Sequence, residues 1–200
     1  MLEEKENKRR RRFLTVMTSV LGLAGAGSLV GSFIASMRPS ARARAAGAPV
    51  EVDISLLKDG QMLVVEWRGK PVWIVRRTDQ MIDGLSQLRE KLADPDSDIA
   101  QQPSYAQNEF RSIRPNVLVV LGVCTHLGCA PTKNFELGAS SGLSDDWLGG
   151  FFCPCHGSKF DLAGRVYKNV PAPTNLEVPP YSFISDNRVL IGVGEEGGSV

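Results

Sequence analysis

The chain has 200 residues, 42% of them hydrophobic, enough for one domain with a proper core and an appendage. The formal net charge is only +1, but residues 1–49 carry nine Lys/Arg against three Glu, and the remainder carries fourteen basic against nineteen acidic groups. A basic head on an acidic body argues against nucleic-acid binding by the body and fits a membrane-anchored protein.

In chain order, residues 1–12 form a basic segment that belongs on the cytoplasmic side. Within it, Arg10-Arg11-Arg12-Phe13-Leu14 has the twin-arginine pattern (Arg-Arg-x-Phe-Leu) of an export signal for already folded proteins; a polybasic topology flank is the plainer reading. Residues 13–37 lack any charge, about 25 positions or roughly 37 Å as a helix, which suffices to cross a bilayer with some tilt. More Lys/Arg before than after this span keeps the N-terminus in the cytoplasm and the body outside. Gly22, Gly25, Gly27 and Gly31 dilute the span; Gly27-x-x-x-Gly31 suits close approach of another helix or simply lowers the hydrophobicity of a signal. Ala43-Arg44-Ala45 resembles a signal-peptidase site, yet the length of the apolar run favours retention as a single-pass anchor. Residues 38–49 are small and polar with nothing to bury, a flexible linker of roughly 40 Å at full extension that serves as a hinge or as a passive spacer.

Residues 50–200 read mainly as strands. Val50 to Ile54 alternates; Met62 to Trp67 and Val72 to Val75 flank Arg68-Gly69-Lys70 as a hairpin. Thr78 to Leu92 has helical spacing at Met81, Ile82, Leu85, Leu88 and Leu92, closed by Asp94-Pro95. Residues 101–114 are polar and loop-like, and Val117 to Leu121 is a buried strand. Residues 133–149 read as an irregular insertion before Phe151-Phe152. Lys159-Phe160-Asp161 and Arg165-Val166-Tyr167 flank a turn, Val170-Pro171-Ala172-Pro173 is too proline-rich for an inner strand, and Tyr181 to Ile184 pairs with Val189 to Val193. The expected fold is a small antiparallel β domain behind a membrane helix.

Every cysteine and histidine lies in two short segments, Cys124-Thr125-His126-Leu127-Gly128-Cys129 and Cys153-Pro154-Cys155-His156-Gly157-Ser158. Thiolates and imidazoles select zinc, copper or iron–sulfur clusters over hard cations. A zinc site takes four ligands and leaves two candidates idle. Two disulfides suit an exported domain but leave the histidines unexplained. A 2Fe–2S cluster on two Cys and two His, with two Cys cross-linking the loops, uses all six.

These two boxes resemble the cluster-binding boxes of Rieske iron–sulfur proteins, and most closely the Rieske subunits of quinol–cytochrome c oxidoreductases of the cytochrome bc type. The likeness extends over nearly the whole chain: signal-anchor, hinge, β domain, both boxes and the proline loop in residues 170–176, with a cluster-binding subdomain at about residues 122–175. The resemblance implies that Cys124 and Cys153 hold one iron, His126 and His156 the other, and that Cys129 and Cys155 form a disulfide. Imidazoles in place of thiolates raise the potential, into roughly −150 to +300 mV. A disulfide persists outside the reducing cytoplasm, and folded export reconciles it with cytoplasmic cluster assembly.

The resemblance further makes Ser158 a hydrogen-bond donor to a bridging sulfide, Leu127 an exposed tip at the quinone pocket, and Pro171-Ala172-Pro173 a shielding loop. Gly128 and Gly157 are expected in tight turns that let backbone N–H groups face sulfur. Phe160 departs from the pattern: high-potential members have a tyrosine there, donating to the sulfur that Cys124 matches, so a lower potential is expected. The implied function is electron transfer from quinol, hydrogen-bonded to His156, to a c-type haem, with protonation coupled to reduction at His126 and His156. The implied partners are cytochrome b and a c-type cytochrome in a dimeric complex at a bacterial inner membrane, with the head in the periplasm. The small Rieske subunit of a periplasmic molybdenum oxidase such as arsenite oxidase is the alternative within the family; an exported zinc module is the alternative outside it.

Overall fold

A computed structural model describes residues 2–41 and 47–194, which divide into an N-terminal unit and a C-terminal unit. The N-terminal unit is one helix, α1 (Leu2–Ser36), that carries the basic segment and the uncharged span without a break. Residues 6–36 are long and apolar enough to cross a membrane. Leu21, Leu23, Leu29 and Phe33 all stand exposed on it, a state that lipid relieves and water does not. The hydroxyls that dilute the span are satisfied within the helix: Thr18 Oγ1 donates to Leu14 O at 2.9 Å and Ser36 Oγ to Phe33 O at 2.7 Å. Such back-bonding removes most of their cost in hydrocarbon. The Ala43-Arg44-Ala45 motif and the middle of the 38–49 linker lie outside the described residues.

Among its described residues, the C-terminal unit contains three antiparallel three-stranded sheets. β1 (Val50–Asp53) pairs with the last strand, β9 (Arg188–Ile191), which pairs with β8 (Tyr181–Ser185). β2 (Met62–Trp67), β3 (Lys70–Arg76) and β4 (Val117–Leu121) make the second sheet. The expected hairpin is there, turning on Arg68 and Gly69, with φ of 52° and 73°, the left-handed pair that matches strand twist. β4 is buried at all five positions, which explains its unbroken apolar run. The third sheet, β5 (Thr132–Asn134), β6 (Gly150–Phe152) and β7 (Lys159–Asp161), lies between and beyond the two cysteine segments.

Three details differ from expectation. The helix α2 (Asp79–Gln87) starts on its Thr78 cap, whose hydroxyl accepts from Met81 N, but it gives way at Leu88 to a 3₁₀ turn over Arg89–Lys91. Leu92 is extended because it bridges Tyr167, with Ala93 N donating to Val166 O and Lys168 N to Lys91 O; that pairing overrides the helical spacing. The 133–149 insertion is only partly irregular, since β5 enters it and Trp147, 1% exposed, anchors it by stacking on Tyr167 at 5.6 Å. The polar 101–114 stretch is loop-like as expected apart from a 3₁₀ turn over Ser104–Ala106, yet it supplies the fully buried Arg111.

Arg111 belongs to a set of buried guanidiniums that fix the turn after β7. Arg77 donates to Leu162 O at 3.0 Å, Arg111 to Ala163 O at 3.2 Å, and Arg165 pairs with Asp161 at 2.8 Å. Burial lowers the Arg77 and Arg111 guanidiniums to about 10, so they remain cationic at neutral pH. The second cysteine segment and β7 thus run into an immobilised turn.

Candidate metal centre

The two cysteine segments fold into matching loops. In the first, Cys124 N donates to Cys129 O at 2.8 Å and Gly128 N to Cys124 O at 3.0 Å. In the second, Cys153 N donates to Ser158 O at 2.8 Å and Gly157 N to Cys153 O at 2.9 Å. Each loop closes five residues after its first cysteine, and each needs a glycine at the fourth, with φ of 80° at Gly128 and 79° at Gly157. The turn role expected of these glycines is therefore observed; their own N–H groups go to cysteine carbonyls.

Close packing sets where the loops begin. Trp73 of β3 packs against Gly122, where an added Cβ would come within 2.2 Å of the indole, and meets the Phe151 ring at 4.9 Å with a tilt of 30°. One indole thereby touches the entry to both loops. At Gly150 a Cβ would meet the Phe160 carbonyl oxygen at 2.1 Å. Neither glycine stood out by spacing, because the neighbour that excludes a side chain is distant in sequence.

The six soft side chains sort into two classes. Cys129 and Cys155 form a disulfide, while Cys124 and Cys153 are free and buried. The Cys129, Cys153 and Cys155 sulfurs lie within 4.8 Å of one another, so the cross-link stands directly beside a free thiol. The His126 and His156 rings meet edge-to-face with centroids 4.8 Å apart. Two thiols turned inward and two imidazoles at the rim remain for a metal. A donor count of four also suits tetrahedral zinc; separation of sulfur from nitrogen suits a two-metal centre with thiolates on one ion and imidazoles on the other.

Burial pushes the Cys124 thiol up, reinforced by the neighbouring Cys153 thiol and opposed by the polar groups of the His126 backbone and Ser158. Leu127 is 71% exposed at the tip of the first loop, as expected, and not a core leucine. His156 is exposed and His126 half-buried. Phe160 is fully buried and adds no hydroxyl.

The proline loop contacts both cysteine loops. Thr125 Oγ1 donates to Thr174 O at 2.7 Å, and Ala172 N donates to Ser158 Oγ at 3.0 Å. Asn175, buried behind it, accepts from Val166 N and donates to Asp94 O. Spacing alone did not mark Thr125 or Asn175, whose bonds to Thr174 O and Asp94 O join segments 49 and 81 residues apart.

A family profile described as the Rieske [2Fe–2S] domain matches residues 49–181, and one described as the ubiquitinol–cytochrome c reductase Fe–S subunit TAT signal matches residues 1–40. A ubiquinol–cytochrome c reductase iron–sulfur subunit from Allochromatium vinosum is 58% identical over 193 residues, 96% of this chain and 92% of that one. One from Blastochloris viridis is 44% identical over 185 residues, 92% and 93% of the two chains. Among solved structures, a chain of a hyperthermophilic respiratory complex III matches 88% of this chain and 98% of its own length, at 24% identity and a TM-score of 0.47.

Proposed function

The chain belongs to the Rieske [2Fe–2S] family, among the iron–sulfur subunits of ubiquinol–cytochrome c reductase, and from that premise we propose that it takes an electron from quinol and passes it to a c-type cytochrome haem, with release of a proton. Family membership brings one Rieske-type 2Fe–2S cluster, a twin-arginine export signal and a membrane anchor. When bound, the cluster supplies a one-electron redox centre, in the range of roughly −150 to +300 mV for this ligand type. Cys124 and Cys153 would hold one iron and His126 and His156 the other; the donor set left by the Cys129–Cys155 disulfide fits that division.

The observation that carries the reading is the polarity of the site. Its thiols are buried, while His156 and Leu127 stand exposed at the rim. His156 can therefore accept a hydrogen bond from a quinol hydroxyl, and its ring nitrogen turned away from the metal can receive the proton. Leu127, next to His126 in the chain, offers the apolar contact that suits a quinone pocket. Gly128 and Gly157 hold both histidines on closed turns, which limits reorganisation as the charge changes.

Arg9 to Arg12 before the anchor against Arg38 after it support an N-terminus in the cytoplasm and a head in the periplasm. On this reading residues 13–37 are the anchor of a bacterial inner-membrane complex, residues 38–49 the hinge, and residues 50–200 the head, whose cluster subdomain spans about residues 122–175. The hinge lets the head alternate between cytochrome b and a c-type cytochrome in a dimeric assembly. Co-purification with cytochromes b and c, and not with a molybdenum subunit, checks the assembly. His156→Cys and His156→Asp are expected to abolish quinol oxidation in the assembled complex; turnover retained with an intact cluster would refute the role.

A further inference from the structure

Three sulfurs crowd together where the two loops meet. Cys129 and Cys155 are joined as the disulfide, and Cys153 Sγ lies within 4.8 Å of both. Cys153 is a free, buried thiol, whereas Cys129 is half-buried and Cys155 is exposed. A thiolate that attacks a disulfide sulfur forms a new S–S bond and expels the other sulfur. Holding nucleophile and target in one fold makes that step unimolecular. One disulfide replaces another, so nothing is oxidised or reduced overall, and the proton of the attacking thiol ends on the sulfur that leaves.

The two sulfurs open to attack are not equivalent. Attack on Cys155 would join residues separated only by Pro154, whose ring fixes φ within a very short loop. It would also leave the two cysteine loops without a cross-link. Attack on Cys129 keeps the loops tied and expels Cys155, the exposed member of the pair. The backbone suits that outcome: Cys124 N donates to Cys129 O and Cys153 N to Ser158 O. Both partners of the new bridge are therefore placed by their own loops, independently of the old one.

We propose that Cys153 is an internal nucleophile for the disulfide: when its thiol is not bound to iron, it displaces Cys155 from Cys129, and the head passes to a Cys129–Cys153 form that lacks one ligand. The proposal rests on the reading of Cys153 as a cluster ligand. It gives the order of events at export a chemical consequence. A chain loaded before it meets an oxidising compartment keeps the Cys129–Cys155 bridge. A chain that arrives empty, or loses its iron later, is diverted to the exchanged form. The bridge pattern thus records whether the head was loaded.

The test uses the full-length protein assembled with its partner subunits, under argon and without thiol reductants. Iron is removed with a chelator until metal analysis finds the centre empty, and samples are quenched in acid at intervals. Free thiols are alkylated, and the unreduced peptides are mapped by mass spectrometry. Before chelation the Cys129–Cys155 bridge is expected alone. After chelation a Cys129–Cys153 bridge is expected in most chains, with Cys124 and Cys155 alkylated. A Cys129–Cys155 bridge that persists through iron loss overturns the proposal, as does a new bridge to Cys124. In Cys153→Ser the original bridge is expected to survive with or without chelator, and a rearrangement there counts against the proposal by revealing another nucleophile. Failure of the ligand reading looks different, because Cys153→Ser would then keep its iron and its EPR signal.

Discussion

β4 and the cysteine loop that follows it are neighbours in the chain but are held in place by different forces. All five residues of β4 are buried, so its position follows from apolar area removed from water. From Thr125 to Cys129 no residue is fully buried. That loop is placed by the bonds Cys124 N to Cys129 O and Gly128 N to Cys124 O, by the disulfide to Cys155, and by the bond of Thr125 to the proline loop. Burial fixes the platform, whereas directional bonds fix the loop that carries the proposed ligands. Directional bonds suit a site that must put two imidazoles at the rim, since burial would hide them.

The two principles can be separated by mutation. Leu118→Ala, at a fully buried position of β4, is expected to cost about 2–5 kcal/mol of stability by transfer and cavity terms, with the midpoint unchanged. Chemical denaturation and redox titration on one preparation check both halves; a shifted midpoint would mean that the platform is not independent of the site. Cys129→Ser with Cys155→Ser opens a cross-link with a sequence separation of 26 residues. It is expected to cost roughly 3 kcal/mol and, unlike Leu118→Ala, to alter the EPR line shape and midpoint as well. A stability loss without any change at the cluster would break the distinction.

A smaller effect is expected at Phe160, which is buried in the core shared by Cys124 and Cys153. Phe160→Tyr supplies the hydroxyl that high-potential relatives have at this place. A net hydrogen bond of about 1 kcal/mol corresponds to a rise of roughly 40 mV for one electron. Redox titration decides the matter, and an unchanged or lowered midpoint sinks the idea.

Platform and site differed in how far the sequence revealed them. Alternation and apolar runs marked eight of the nine strands found among the described residues, because burial leaves a periodic trace in composition. β5 escaped, since Thr132–Asn134 is mostly exposed and reads as polar insertion. The six soft side chains were plain from residue type, and the resemblance supplied their division, with whose cysteine pair the Cys129–Cys155 disulfide agrees. What stayed hidden was contact between distant segments: Trp73 against Gly122, Arg111 under the turn after β7, Ala172 on Ser158. Each joins a residue of ordinary type to a partner that spacing cannot identify. The end of α2 at Leu88 has the same origin, because its cause is the pairing of Leu92 with Tyr167.

On the proposed reading, Cys124, Cys153, His126 and His156 together hold a redox-active 2Fe–2S centre beside a disulfide that supplies no ligand. Low-temperature EPR with iron and zinc analysis of the reduced holoprotein tests it most directly, alongside Cys124→Ser, Cys153→Ser, His126→Ala and His156→Ala. About two irons per chain are expected, with a reduced-state signal in the unaltered protein. Loss of that signal is expected in each of the four variants while far-UV circular dichroism still reports the β domain. Bound zinc with no EPR signal, or a signal that survives unchanged in any of the four, would contradict the reading.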